Sequence, residues 1–183
     1  MSIMGCTRDD AAGECFDKIA RALGLPYPGG RPMQELAEGG DDAKYPLPRA
    51  KIAGCALDMS FSGLKTAAVN LVHNAQQKGE ELDRSSLAAS VAAAVSEELV
   101  PRAIAAAKQC GYRTLAAAGG VAANKRIRAD LERACGENGI RLYLPPLPLC
   151  GDNGAMIGCQ GYYEYLAGVR ADMSLNAYAN LEI

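Results

Sequence analysis

The sequence has little histidine and none of the motifs that hydrolases build around it. His73 is the single histidine among 183 residues, there is no H-E-x-x-H pattern, and no serine or cysteine stands in a recognisable local motif with a histidine. Hard and borderline cations need several ligands, so no complete metal site is visible in the sequence. These absences argue against a metalloprotease, and we expect His73 to be an ordinary packing or helix-surface residue.

Paired cysteine motifs and membrane signals are missing as well. The seven cysteines are odd in number and include no C-x-x-C pair, which argues against a zinc ribbon or a secreted disulfide framework. Most of them lie within apolar segments, as expected of small buried thiols in a reducing cytosol. No basic-plus-apolar leader and no apolar run long enough for a bilayer occur. We therefore expect a soluble, cytoplasmic protein with no membrane partner.

The charge balance limits contact with nucleic acid. With 19 basic and 21 acidic residues the formal net charge is -2, which argues against a generally basic surface that coats nucleic acid. Any RNA contact must therefore be local. A composition that is 49% hydrophobic excludes a disordered chain, and 183 residues suffice for one α/β domain with a helical appendage. We expect a single domain over 1–183, with a helical and loop subregion at about 10–50.

The first part of the chain predicts a helix followed by a long loop. The helix should follow "TRDD", with Asp10 as its N-cap and Gly24 just past its end. Residues 26–48 are punctuated by glycine and proline, so we expect mostly loop around one short helix near 32–37.

The middle of the chain predicts a strand and two helices. The stretch "CALDMSFSG", 55–63, alternates as a strand does, and one face of it would carry Leu57, Met59 and Phe61. Helices are predicted over 64–77 and 87–109. Pro101 should kink or split the second helix, because proline removes a backbone hydrogen bond and crowds the preceding turn.

The last third of the chain is the most regular. "YRTLAAAGG" and "IRLYLPP" predict strands, while "NKRIRADLERAC" and the segment from "DNGAM" to Gly168 predict helices. Asn124 is the expected N-cap of the first of these helices. This alternation of strands and helices predicts βαβ crossovers and a sheet that is at least partly parallel.

Three stretches are candidates for ligand binding. Gly119 and Gly120 follow a predicted strand, where glycine lets backbone approach a ligand and Asn124 offers an amide. Asp152 stands at the start of the last helix, and Asp17 precedes the glycine-rich "YPGG" turn, where a carboxylate suits ribose hydroxyls. Taken singly, these stretches have plain structural explanations: a connecting turn and a solvated acid beside a loop, which are then favoured, and a capping pair that includes Asn153, which competes strongly.

The motifs together resemble one family. "TRDDAAGECFDKIARALGLPYPGG", "MSFSGLKTA", "AAGGVAANKRIR" and "LPPLPLCGDNGAMIG" occur in the order and approximate spacing of TsaD proteins, once called O-sialoglycoprotein endopeptidases. The resemblance extends from about Thr7 to Gly168. It implies an α/β fold, a lobe of the actin/sugar-kinase/heat-shock ATPase (ribonuclease H-like) type with a helical insertion. It also implies transfer of a threonylcarbamoyl group from threonylcarbamoyl-adenylate to N6 of adenosine 37 in tRNAs that read codons beginning with A.

The resemblance assigns roles to four residues. Asp17, Gly30 and Asn124 match family positions that contact the nucleotide substrate, and the turn that leads to Asn124 makes Gly119 and Gly120 further expected contacts. Asp152 matches the aspartate that completes the family's iron or zinc site, and that divalent metal would act as Lewis acid and template.

This chain also departs from the family pattern. Family members are generally longer and carry an H-x-x-x-H pair in an N-terminal lobe, whereas this sequence begins just before "TRDDAAGE" and looks like the C-terminal portion. Asp152 alone is expected to hold metal weakly, and the isolated chain is expected to have little or no transferase activity. The alternative is a non-catalytic adenine-nucleotide-binding or protein-interaction module.

The expected partners are tRNA, other proteins of the threonylcarbamoyladenosine pathway and, through an exposed apolar face between the lobes, a second copy or another protein. The predicted tRNA footprint is a basic set on one helix: Lys125, Arg126, Arg128 and Arg133. An equally good interpretation is a solvated helix face whose cations pair with Asp130 and Glu132.

Overall fold

The computed structural model describes residues 2–54 and 56–177, and within them the chain folds as a mixed α/β protein. Its helices are α1 (Ala12–Ala22), α2 (Gly30–Leu36), α3 (Ser62–Lys78), α4 (Arg84–Gln109), α5 (Lys125–Glu137) and α6 (Gly154–Leu166). Its strands are β1 (Thr114–Ala116) and β2 (Arg141–Tyr143), and short 3-10 turns occupy Gly120–Ala123 and Leu147–Leu149. No helix of the described residues is both long and apolar enough to cross a membrane.

The core forms around α4, which packs against α2, α3, α5 and β1. Leu87, Val91 and Val95, which recur every four residues along this helix, are fully buried, and Leu99, the next in the row, is half-buried. The alanines between them are also mostly buried. Because alanine adds little bulk, neighbouring elements can approach α4 on several sides, so one helix serves as the centre of the core.

The small sheet confirms the prediction of parallel strands. β1 and β2 run parallel, with Thr114 opposite Arg141 and Ala116 opposite Tyr143. α5 forms the crossover between them and packs against both α4 and β2. The buried residues of α5, Ile127, Leu131 and Cys135, recur at helical spacing and face this core.

The strand predicted over 55–63 is wrong. Met59 makes an isolated parallel bridge with Thr7, and Phe61 is already the N-cap residue of α3. The carboxylate of Asp9 accepts hydrogen bonds from the backbone N–H groups of Phe61 (2.8 Å) and Ser62 (3.2 Å), which satisfies donors at the start of the helix. Asp9 lies 52 residues before Phe61 in the sequence, so the alternating pattern around Met59 could not indicate that a helix begins there. Cys55 lies outside the described residues.

Helix boundaries bring one confirmation and two corrections. Gly24 follows α1 with φ 70°, and the N–H of Leu25 bonds to the carbonyl of Ala20, as in a glycine-terminated helix end. Asp10 is not the N-cap of α1, because Ala11 takes that position and Asp10 binds side chains of α1 and α3 instead. α4 runs through Pro101 as one helix, so the split is wrong, and the kink given as its alternative stays a prediction. The short helix predicted near 32–37 is α2, beginning two residues earlier.

Candidate nucleotide site

The glycine turn after β1 requires glycine at one of its two positions. Gly119 has φ 93° and ψ 164°, a conformation that is essentially restricted to glycine. Gly120 has no positive φ and begins the 3-10 turn Gly120–Ala123, which leads directly to Asn124. The turn therefore exposes backbone at the carboxyl end of a parallel strand, where α/β proteins commonly bind ligands.

Asn124 is confirmed as the N-cap of α5. Its side-chain oxygen Oδ1 accepts hydrogen bonds from the N–H groups of Arg126 (3.0 Å) and Ile127 (3.3 Å). The oxygen is thus committed to the helix, and the group left to meet a ligand is the amide nitrogen Nδ2, which carries two donors. An arrangement of this kind suits hydroxyl or phosphate oxygens.

Asp17 connects α1 to the start of α2. Its Oδ1 accepts a hydrogen bond of 2.7 Å from the backbone N–H of Gly29. A Cβ added to Gly29 would lie 2.4 Å from the Cβ of Ala20, so only glycine allows this close approach. Gly30, the glycine singled out in the sequence, has open space where its Cβ would be. The structural requirement lies at Gly29, and Gly30 leaves room beside the backbone.

The short helix α2 also contacts the glycine-turn region. The Gln34 side-chain oxygen accepts a 2.7 Å hydrogen bond from the backbone N–H of Lys125, the first residue of α5. The Lys125 ammonium group in turn lies 2.7 Å from a carboxylate oxygen of Glu38. Consequently α2 is tied at one end to Asp17 and along its length to the residue after Asn124. Elements from three separate sequence stretches are thus held in direct contact.

Arg128 is a residue whose role the sequence analysis missed. Its guanidinium donates to the carbonyl of Ala122 (3.0 Å) in the glycine turn and to the carbonyl of Pro145 (3.2 Å) in the loop after β2. It also lies near the sulfur of Cys150. Arg128 therefore joins the glycine turn to the loop that precedes Asp152, and it is half-buried, so its donors do not point freely into solvent. A basic residue in a helical pattern gives no sign of such an inward role.

The other basic side chains of α5 are engaged in ion pairs. Arg126 pairs with Asp42 and Asp130, and Arg133 pairs with Asp130 and Glu137. The Ser96 hydroxyl also donates to Asp130, and these hydrogen bonds together lower the pKa of that carboxyl despite its partial burial. Of the two interpretations of this helix face, the pairing with Asp130 is confirmed, although Glu137 rather than Glu132 is the second partner of Arg133.

Asp152 is exposed and stands just before α6. The N-cap of that helix is Asn153, whose Oδ1 accepts a 3.0 Å hydrogen bond from the N–H of Met156. Across residues 2–54 and 56–177, no three side chains of histidine, cysteine, aspartate or glutamate are grouped so as to hold a metal ion. The described residues therefore do not fit a complete metal site. His73 is exposed on α3, as expected of a helix-surface residue.

The "TRDD" and "SFSG" motifs meet beside α1 in a charged cluster. Asp10 accepts hydrogen bonds from Lys65, from the Ser62 hydroxyl (2.9 Å) and from Lys18 (3.3 Å). The Lys65 ammonium group, with smaller contributions from Ser62 and Lys18, lowers the pKa of Asp10 to about 2. Asp10 is therefore a fixed negative charge that orients two lysines between α1 and α3.

Comparisons with known proteins agree with this arrangement of motifs. A family model described as tRNA N6-adenosine threonylcarbamoyltransferase (TsaD) matches residues 1–159. A protein of that name from Moorella thermoacetica is 50% identical over 181 residues, which is 99% of this chain and 53% of the relative. Those from Staphylococcus saprophyticus and Geobacillus kaustophilus are each 49% identical, over 99% and 100% of this chain and 53% of each relative.

The chain thus spans about half the length of the curated relatives that it matches, and it corresponds to their C-terminal portion. The match is continuous over the glycine turn, α5 and the start of α6, so it includes the elements assembled around α2. The chain belongs to the TsaD family of tRNA N6-adenosine threonylcarbamoyltransferases.

Proposed function

We propose that the chain supplies the nucleotide-binding half of a transferase that moves a threonylcarbamoyl group from threonylcarbamoyl-adenylate to N6 of adenosine 37 of tRNA. In this reaction the adenosine amine attacks the carbamoyl carbonyl carbon, a C–N bond forms, and the C–O bond to the phosphate breaks. The amine loses a proton and AMP leaves. The names of the relatives and the family match support the class of reaction. The fold that we propose is one lobe of the actin/sugar-kinase/heat-shock ATPase type.

The observation that carries the proposal is the position of α2 between two candidate elements. Asp17 holds the backbone of Gly29, and Gln34 holds the backbone N–H of Lys125, directly after Asn124. A nucleotide placed along α2 would meet the second carboxylate oxygen of Asp17 and the Nδ2 donors of Asn124. A carboxylate suits the ribose hydroxyls, and an amide donor suits a phosphate or carbonyl oxygen. Backbone at Gly30, Gly119 and Gly120 would line the same pocket.

The metal part of the proposal is limited to one ligand. Asp152 would contribute a carboxylate oxygen to a divalent iron or zinc ion whose other ligands lie outside the described residues. Because a single exposed carboxylate holds such an ion weakly, we propose that this chain alone has little or no transferase activity. The single metal ligand also favours a second candidate function, a module that binds adenine nucleotide or a protein partner without catalysis. In both candidates the adenine nucleotide would occupy the same site.

Calorimetric titration with AMP tests the pocket. Asn124→Asp keeps a capping oxygen for α5 but removes the Nδ2 donors, so we expect AMP affinity to fall by about tenfold or more while stability changes little. Asp17→Asn keeps an acceptor for the Gly29 N–H and removes the charge, and it should also weaken AMP binding. Asn74→Asp, an identical change at an exposed position of α3, is the control. AMP affinity that is equal in wild type, Asn124→Asp and Asp17→Asn would contradict the pocket.

A partner proposal rests on α6, whose residues are all exposed. At about 100° per residue its large apolar side chains are distributed around the whole circumference of the helix. These side chains are Met156, Ile157, Tyr162, Tyr163, Tyr165 and Leu166. A helix that is apolar on every side is normally enclosed by protein. A second copy packed on one face would leave the other faces in water, whereas a larger partner can surround the helix.

We assign the partner as the N-terminal portion of a family protein, since the relatives carry about as much chain again as the part matched here. Mixing this chain with that portion of the Moorella thermoacetica relative should give a one-to-one complex and slow amide exchange throughout α6. Tyr163→Lys should weaken the complex at least tenfold, because it would bury an unpaired charge. Tyr112→Lys, at a similarly exposed tyrosine outside α6, is the matched control. Protection of α6 in the chain alone through a homodimer would overturn this assignment and favour self-association.

A further inference from the structure

A shallow groove of about 560 Å³ lies between α1 and α3 and is lined mostly by side chains that donate hydrogen bonds. Its lining residues are Lys18, Arg21, Ala22, Lys65, Thr66, Val69, Asn70 and His73. None of these residues is a carboxylate. The groove therefore offers cations on both walls and neutral donors on the α3 wall, in a protein whose formal net charge is -2.

The wall formed by α3 has an unusual charge pattern. This helix of 17 residues, "SGLKTAAVNLVHNAQQK", contains no aspartate or glutamate. The basic helix α5 differs, because it carries Asp130, Glu132 and Glu137 among its cations. On α5 the positive charges are offset by neighbours on the same helix, whereas α3 provides no acid that could offset charges in the groove.

The cations of the groove differ in how far they are already neutralised. Lys18 lies 2.6 Å from Glu14 and 3.3 Å from Asp10, and Lys65 is paired with Asp10. Arg21 makes no ion pair with any residue that the structure describes, and it is exposed in the last turn of α1. Arg21 is therefore the cation of the groove with the most capacity to bind an external anion.

The dimensions and the chemistry fit a nucleic-acid backbone. Along α3 the lining residues extend from Lys65 to His73, which at 1.5 Å per residue is about 12 Å. In a nucleic-acid duplex each strand carries roughly one phosphate per 3.4 Å of helix axis, and along the backbone, which winds around that axis, the phosphates are farther apart, so a groove of this length meets about two phosphates. The hydroxyl of Thr66 and the amide of Asn70 are typical neutral donors to phosphate and sugar oxygens.

We propose that this groove is the surface through which the chain binds the sugar–phosphate backbone of RNA. The inference rests on the proposed function in that tRNA is the expected RNA, and it replaces the face of α5 as the footprint. Asp17 and Arg21 are one helical turn apart on α1, so RNA in the groove passes beside the carboxylate proposed to hold the nucleotide. Because backbone contacts carry no sequence information directly, the groove positions the tRNA and does not select it.

The test is fluorescence anisotropy with an unmodified transcript of a tRNA that reads codons beginning with A, over a range of salt concentrations. Arg21→Gln should weaken binding about three- to tenfold at low salt and reduce the slope of log affinity against log salt by about one. Arg21→Lys should retain most of the affinity. Arg133→Gln, which removes a cation paired on α5, should leave affinity within about twofold.

Each other outcome contradicts the proposal that this groove binds RNA. It is wrong if Arg21→Gln binds as wild type does, if Arg133→Gln loses as much affinity, or if wild type binds no tRNA. Displacement of the tRNA by an equal charge concentration of polyglutamate would assign the groove to acidic protein instead of RNA. The AMP titration keeps the two proposals apart, because Arg21→Gln should leave AMP affinity within about threefold. If Asn124→Asp loses AMP binding while Arg21→Gln binds RNA as wild type does, the nucleotide site is supported and the RNA-binding groove is contradicted.

Discussion

The helices α4 and α6 are both rich in apolar residues and have opposite surroundings. More than half of the residues of α4 are buried, and they include most of its alanines, its valines and Leu87. No residue of α6 is buried, and its tyrosines are more than half exposed. The comparison shows that an apolar composition predicts that a helix needs protein packed against it. It does not predict whether the described part of the chain contains the elements that pack there. In the described part of the chain, α4 has those elements and α6 does not.

The polar residues of the two helices show the same difference. In α4 the buried carboxylate of Glu98 accepts a 2.9 Å hydrogen bond from the N–H of Ala50 and lies 2.8 Å from the guanidinium of Arg102. Arg102 also donates to the carbonyl of Asp58, so the pair attaches the long loop before α3 to the core. In α6 the Gln160–Glu164 hydrogen bond stays within one exposed helix face. Buried polar groups join α4 to its surroundings, while the exposed polar pair of α6 bonds only within its own helix.

The largest expected effect comes from one substitution made in both helices. Leu87→Ala in α4 should lower the free energy of unfolding by about 2–5 kcal/mol, because Leu87 is fully buried and its removal leaves a cavity. Leu166→Ala in α6 should change it by less than about 0.5 kcal/mol, because this side chain is exposed. Urea unfolding followed by far-UV circular dichroism measures both, since the chain has no tryptophan for fluorescence.

A substitution that removes less side-chain volume is the backup for Leu87→Ala. If Leu87→Ala does not fold, Val95→Ala removes less volume at an equally buried position of α4 and should still cost more than Leu166→Ala. Equal costs in α4 and α6 would mean that α6 packs into the core in solution, and the contrast between the helices would be wrong. A large cost for Leu166→Ala that appears only with the N-terminal portion of a relative present would strengthen the proposed partner.

Much of the fold follows from local pattern, and the errors have a common physical cause. Asn124 before α5 and Gly24 after α1 were predictable, because a capping side chain and a left-handed glycine act on the next few residues. The strand expected around Met59 failed because Asp9, more than fifty residues away, caps α3. Asp10 resembled a cap, but long-range ion pairs determine its position. In both cases, contacts between residues distant in sequence determined the structure instead of the local sequence pattern.

The candidate site divides in the same way. Gly119 and Asn124 could be recognised because a strand, a glycine turn and a helix cap are local signals. The tie from Gln34 to Lys125 joins residues 91 apart, and no periodicity or motif indicates it. Arg128 was assigned to the surface because its helix is basic, whereas it bonds to two loop carbonyls. The sequence identifies residue types suited to a ligand, and the tertiary contacts determine which of their atoms remain available.

The smallest expected effect concerns the N-caps of the two compared helices, Asp83 for α4 and Asn153 for α6. Asp83→Ala should cost about 1 kcal/mol of global stability, because α4 unfolds with the core and also loses the 2.7 Å contact of Asp83 with Lys44. Asn153→Ala should leave the unfolding midpoint unchanged and instead speed amide exchange in the first turn of α6, because a helix without packing can fray alone. Urea unfolding and hydrogen exchange separate the two responses. A global loss from Asn153→Ala equal to that from Asp83→Ala would show that α6 unfolds with the core, and its apolar surface would then need an intramolecular explanation.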